Sequence, residues 1–128
     1  MRQYNPKTVA APAGAYSHAI GVPANARSLY VSGQVGIDKD GNLGCDVGEQ
    51  THIVWQNISL ILQDAGMELA DIVKVTAYLT DPADLPAYGK ARSEILGDAR
   101  PCSTLLFVSA LVHPEWKIEV EVVAAKEE

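Results

Sequence analysis

The chain has 128 residues and a mass of 13.7 kDa, which is enough for one domain, residues 1–128, with a buried core. Ten Lys and Arg face sixteen Asp and Glu, and the resulting charge of −6 argues against nucleic-acid or anionic-membrane partners. No apolar run approaches the ~20 residues of a membrane span. Two isolated cysteines predict free thiols and a cytoplasmic location, and three scattered histidines predict no metal site.

The first half of the chain predicts two strands and a helix. A short strand is expected at 18–22, where Pro23 ends it, and a longer one at 28–37, where apolar residues alternate with polar ones. Apolar residues in 49–65 recur at helical spacing, and Gly66 is placed to terminate that helix.

The second half predicts a strand, a helix and two further strands. Alternation marks a strand at 72–79, and Asp81-Pro82 is a typical start for a helix that runs to Leu96. Strands are expected at 104–111 and 117–124, with a further short strand near residues 1–4.

These elements predict an α+β fold with both helices on one face of the sheet. The 104–111 segment is apolar on both faces, so the second face needs a cover that the chain lacks. A second copy of the chain is the simplest cover, and self-association is therefore favoured over a monomer with scattered exposed apolar residues.

Six segments in matching order resemble the RidA (reactive intermediate deaminase, or YjgF) family. They are GAYSHA at 14–19, LYVSGQVG at 29–36, EQT at 49–51, VKVTAYL at 73–79, RP at 100–101 and IEVE at 118–121. The resemblance implies a chorismate-mutase-like fold with a mixed six-stranded sheet. It also implies a homotrimer around a central barrel, with small-molecule clefts between subunits. The implied chemistry is hydrolysis of imines and enamines to keto compounds and ammonia, without metal or cofactor.

The main departure from the family lies at its substrate-binding arginine. In the catalytic branch that arginine is the fourth residue of an Arg-Pro-Ala-Arg run, and here the run reads RPCS, which places Ser103 at its position. A serine cannot provide the planar, charged fork that binds a carboxylate, which predicts a rate loss of about 10²-fold or more. Arg100 is the alternative source of that charge, although the rigid Pro101 disfavours it.

The resemblance also carries over other site residues. Glu119 matches the glutamate that orients water, although it could equally be a solvated strand residue like Glu121. Gly89 stands where the family has an asparagine. The remaining expected ligand-binding positions are Tyr16, Ser32, Gly33, Cys102 and Leu105. Two of these positions have a packing role as the alternative, with Tyr16 as a core tyrosine and Cys102 as a packed thiol.

Three functions are therefore open. The first is an enzyme that hydrolyses an imine or enamine, of the 2-imino acid or 2-aminomuconate type, with weak or absent activity on 2-iminobutanoate. The second is a trimer that binds a small metabolite, such as a carboxylate, without turnover. The third, an endoribonuclease, is disfavoured by the acidic charge.

Overall fold

The computed structural model describes all 128 residues and contains six strands, two α-helices and two short 3₁₀ turns. The strands are β1 (Arg2–Tyr4), β2 (Ala19–Gly21), β3 (Ala26–Val35), β4 (Ile72–Leu79), β5 (Cys102–Phe107) and β6 (Ile118–Glu127). The helices are α1 (Val47–Asp64) and α2 (Leu85–Leu96), and the 3₁₀ turns span Leu69–Asp71 and Pro82–Asp84. Neither helix is long and apolar enough to cross a membrane.

The six strands form two sheets rather than the single six-stranded sheet that the resemblance implies. Four strands make a mixed sheet in the order β3-β6-β4-β5, in which only β4 and β5 run parallel. The strands β1 and β2 pair separately as an antiparallel ribbon. A single bridge between Ser17 and Cys102 attaches this ribbon beside the start of β5, so it does not extend the sheet.

Both helices pack on one face of the four-stranded sheet, which confirms the predicted α+β arrangement. This helix-facing side carries the buried residues of the alternating strands, among them Val31, Val75, Val120 and Val122. Together with Trp55, Ile58 and Leu62 of α1 they form one continuous hydrophobic core.

The other side of the sheet, the open face, is covered by nothing in the chain. It is more polar than the apolar alternation predicted, because Lys74 bonds to Thr104 at 2.6 Å and Tyr78 to Glu121 at 2.7 Å. It still exposes large apolar side chains: Tyr30 is 79% exposed and Leu106 is 46% exposed.

Local sequence signals set most element ends. The Asp46 side chain accepts a hydrogen bond from the Glu49 amide, so α1 begins at Val47, two residues earlier than predicted. Gly66 has a φ of +72° and ends the helix as expected. Pro86 lies in the first turn of α2, where no amide donor is needed. The predicted helix from Asp81 is therefore a 3₁₀ turn followed by α2.

The strand β5 is shorter than the predicted 104–111. Its partner β4 ends at Leu79, whose carbonyl accepts the last bond of this ladder, from the Val108 amide. Beyond that point the apolar residues have no strand to pair with, so they lie in the loop that leads to β6.

The buried Gln50 side chain joins three segments that do not pair through their backbones. Its amide nitrogen donates to the carbonyl oxygens of Gly44 and Glu115, and its oxygen accepts from the Lys117 amide at 2.9 Å. Because the backbone at Gly44 lies directly against this side chain, a larger residue there would overlap it. Gln50 therefore fixes the entrance of β6 against the start of α1.

Replacing Gln50 by Ala should lower the free energy of unfolding by about 3 kcal/mol, because three backbone groups lose their partners at once. Urea denaturation measures this loss. Gln56→Ala, on the exposed side of the same helix, is the matched control and should change stability by less than about 0.5 kcal/mol. Equal losses in the two variants would contradict this role for Gln50.

Candidate functional site

The alternation of the strands divides the expected site residues between the two faces of the sheet. Ser103 and Leu105 pair with the buried Val75 and Ala77, so their side chains lie on the helix-facing side. Glu119 pairs with Tyr78 and lies on the open face. One chain thus presents two partial sites rather than one assembled site.

The first partial site surrounds Glu119. A bulge in β3 between Val31 and Gln34 places Ser32 and Gly33 against this part of β6. A Cβ atom at Gly33 would overlap the Glu119 carboxylate, so the absence of a side chain lets that carboxylate lie over the strand. Glu119 is half-buried and makes no ion pair within the chain.

Its neighbour Glu121 differs in both exposure and bonding. Glu121 is exposed and accepts a hydrogen bond from the Tyr78 hydroxyl, and this bond raises the pKa of the tyrosine. Glu119 has no such partner, so its carboxylate is free to accept a hydrogen bond from a water or a ligand. The two strand glutamates are therefore not equivalent.

The second partial site surrounds Ser103 and contains an arginine that the sequence analysis did not single out. Arg92 of α2 donates to the Ser103 hydroxyl oxygen at 3.1 Å and to the Ala15 carbonyl oxygen at 3.4 Å. Its residue exposure is only 9%, and no carboxylate forms an ion pair with it. The structure thus places a buried guanidinium beside the serine.

Two neighbours on α2 complete the surroundings of Arg92. Burial raises the pKa of the Tyr88 hydroxyl, and the nearby Arg92 cation partly offsets that rise. Gly89 lies three residues before Arg92, which puts both on one side of the helix. A Cβ atom at Gly89 would meet no atom within 4 Å, so the space beside this glycine is open.

Arg100, the alternative source of charge in the sequence analysis, points elsewhere. Its guanidinium donates to the carbonyl oxygens of Gly97 and Ala99, both at 2.9 Å. It lines a groove of about 770 Å³ where β4 begins and β6 ends, and none of the expected site residues lies there. Within this chain the arginine that contacts Ser103 is Arg92.

The other expected residues lie near one partial site or the other. Tyr16 follows Ala15, an Arg92 partner, and its hydroxyl oxygen accepts a bond from the Ala13 amide at 3.1 Å. Leu105 packs against the core, while its backbone lies on the outer strand of the sheet.

Cys102 is half-buried and points to the open face, opposite to Ser103. Ser32 lines a hollow of about 340 Å³ on that face.

Two further features concern metal ligands and the Cys45 thiol. No three His, Cys, Asp or Glu side chains converge on a point that could hold a metal ion. Cys45 donates to the Glu49 carboxylate, and this contact raises the pKa of the thiol, which keeps it protonated at neutral pH.

The two partial sites are too far apart to act on one small molecule within one chain. Glu119, Tyr78 and Leu106 form one row across three strands, and Ser103 lies three residues before Leu106. Strand geometry gives about 14 Å between the Ser103 and Glu119 Cα atoms, with the side chains on opposite faces.

The sequence contains a pattern that could have identified Arg92 as a buried charge. Tyr88, Ala91 and Leu96 are the apolar residues on the buried side of α2, and Arg92 falls within that stripe at helical spacing. A charged residue inside an apolar stripe indicates a buried charge that needs a partner.

Comparisons with known proteins cover nearly the whole chain. The model of the family described as endoribonuclease L-PSP matches residues 7–126. A RutC family protein of Pyrococcus abyssi is 39% identical over 118 residues, which span 91% of this chain and 90% of that protein.

Solved structures agree with this relationship. A conserved Rid-family protein from Yersinia pestis is 32% identical, covers 98% of each chain and superposes with a TM-score of 0.85. RidA from an Antarctic Psychrobacter is 29% identical with a TM-score of 0.73, over 97% of this chain and 98% of that one. By both sequence and structure, this chain belongs to the Rid (RidA/YjgF) family.

Proposed function

We propose that this protein hydrolyses an imine or enamine of a small amino compound in clefts between the subunits of a homotrimer. Water adds to the C=N carbon, a proton passes to the nitrogen, and ammonia leaves as the carbon becomes a keto group. The reaction balances without an oxidant or a cofactor. We also propose a cytoplasmic location, in line with the two free cysteines.

The observation that carries the proposal is the unpartnered Glu119 carboxylate. It is half-buried, makes no ion pair, and lies over Gly33 where no side chain blocks it. A carboxylate in this state can accept a hydrogen bond from water and so orient that water toward a bound imine carbon. The neighbouring Ser32 offers a hydroxyl on the same face.

The separation of the two partial sites supports the proposed clefts. Because the Ser103 side and the Glu119 side face away from each other, a small molecule reaches both only if they come from different chains. The exposed Tyr30, Leu106, Phe107 and Val112 provide apolar area for such contacts. The number of three subunits comes from the family resemblance.

The acidic charge of −6 argues against a ribonuclease role, despite the name of the matched family model. Binding without turnover is the competing function, because Ser103 removes the family's arginine from the strand. A rate measurement separates binding from hydrolysis.

With 2-iminobutanoate generated in situ, we expect the wild-type protein to accelerate release of 2-oxobutanoate, more weakly than a relative with arginine at the Ser103 position. Glu119→Gln should lower the rate by about 10²-fold or to the uncatalysed level, because it removes the water-orienting carboxylate. Glu121→Gln removes an equal charge two residues away and should keep most of the rate.

No acceleration by the wild-type protein, together with binding of 2-oxobutanoate, would show a binding protein instead. Equal loss in the two glutamate variants would contradict a special role for Glu119.

Light scattering tests the proposed assembly. We expect a mass three times the 13.7 kDa of one chain, because the exposed apolar side chains and the divided site both call for self-association. A mass equal to a single chain at micromolar concentration would contradict the proposed clefts.

A further inference from the structure

Arg92 is a buried cation without an anion. Its exposure is 9%, and none of the ion pairs of the chain involves it. Arginine is rarely buried to this extent unless it is paired, because removing a charge from water is costly. The unpaired guanidinium therefore indicates that an anion from outside the chain completes this site.

The contacts of Arg92 orient the guanidinium and leave donors free. Nη2 donates to the Ser103 hydroxyl and Nη1 to the Ala15 carbonyl, and the Tyr88 hydroxyl is a third hydrogen-bond neighbour, so at least two of the five N–H groups of the guanidinium have no partner in the chain. These two bonds hold the group between α2 and β5. The remaining donors form part of a planar fork, the geometry that matches a carboxylate.

Open space lies beside α2 one helical turn before Arg92. Gly89, one helical turn before Arg92, has no atom within 4 Å of the place where its Cβ would be. Arg92 is the arginine on this side of α2, since the Arg100 guanidinium is bonded to the carbonyl oxygens of Gly97 and Ala99. A single cation suits a monovalent carboxylate better than a phosphate dianion, which draws on several donors.

We propose that Arg92, positioned by the Ser103 hydroxyl, is the residue that binds the carboxylate of the ligand in this protein. The inference rests on the proposed function, since it assigns a carboxylate-bearing substrate to the same clefts. It also gives Ser103 a role: the serine does not bind the carboxylate in place of an arginine but holds an arginine that arrives from α2. The charge that β5 lacks is thus supplied by the helix.

Equilibrium binding of the keto acid 2-oxobutanoate tests this assignment without requiring turnover. Isothermal titration should show that Arg92→Met, which keeps an unbranched side chain but removes the charge, weakens binding at least tenfold. Arg92→Lys should fall between wild type and Arg92→Met, because it keeps the charge but not the fork. The matched control Arg100→Ala should bind like wild type.

A double variant that moves the arginine to the strand provides a second binding test. In the double variant Arg92→Met with Ser103→Arg, the guanidinium returns to the strand, and we expect binding to recover to within a few-fold of wild type. This arm remains informative even if Arg92→Met alone is poorly folded. Circular dichroism and thermal melting of each variant identify losses that come from unfolding.

Several results would overturn the inference. These are unchanged 2-oxobutanoate binding in Arg92→Met, an equal loss in Arg100→Ala, or tighter binding of inorganic phosphate than of the keto acid. Absence of any 2-oxobutanoate binding by wild type would also overturn it. If wild type still accelerates imine hydrolysis in that case, the proposed function stands and only the carboxylate assignment fails.

Discussion

The two-residue period of a β-strand is the constraint on which the site depends. Successive side chains of β5 and β6 alternate between the helix-facing side and the open face, so Ser103 and Glu119 point away from each other. No rotation of a side chain can bring them together across the sheet. The chemistry proposed for this chain therefore requires that one chain's helix-facing edge meet another chain's open face.

The same alternation explains why each partial site is incomplete. On the helix-facing side, a guanidinium is held by a serine and a carbonyl but has no anion. On the open face, a half-buried carboxylate lies over a glycine but has no hydrogen-bond donor. Opposite unpaired charges of this kind suit a ligand that has a carboxylate at one end and a reacting carbon near a water at the other.

Local patterns predicted the features that depend on a few neighbouring residues. Alternation predicted the strand Ile72–Leu79, and the glycine at position 66 predicted the end of α1. The structure has both features, and Gly66 adopts the positive φ that glycine favours. Features that depend on distant partners were not predictable in this way. The end of β5 depends on where β4 ends, and the attachment of the β1–β2 ribbon to the main sheet depends on a bridge between Ser17 and Cys102. Arg92 belongs to this second group, since its partners lie in a loop and a strand far from it in the chain.

Mixing two variants, each altered on one side of the proposed cleft, tests the shared site most directly. Glu119→Gln and Arg92→Met protein are unfolded together, refolded at equal concentration and assayed for 2-iminobutanoate hydrolysis. If each cleft takes its two sides from different chains, about a quarter of the clefts in randomly mixed assemblies combine two intact sides, and about a quarter of wild-type activity should return. Activity that stays at the level of the separate variants would contradict a site built from two chains.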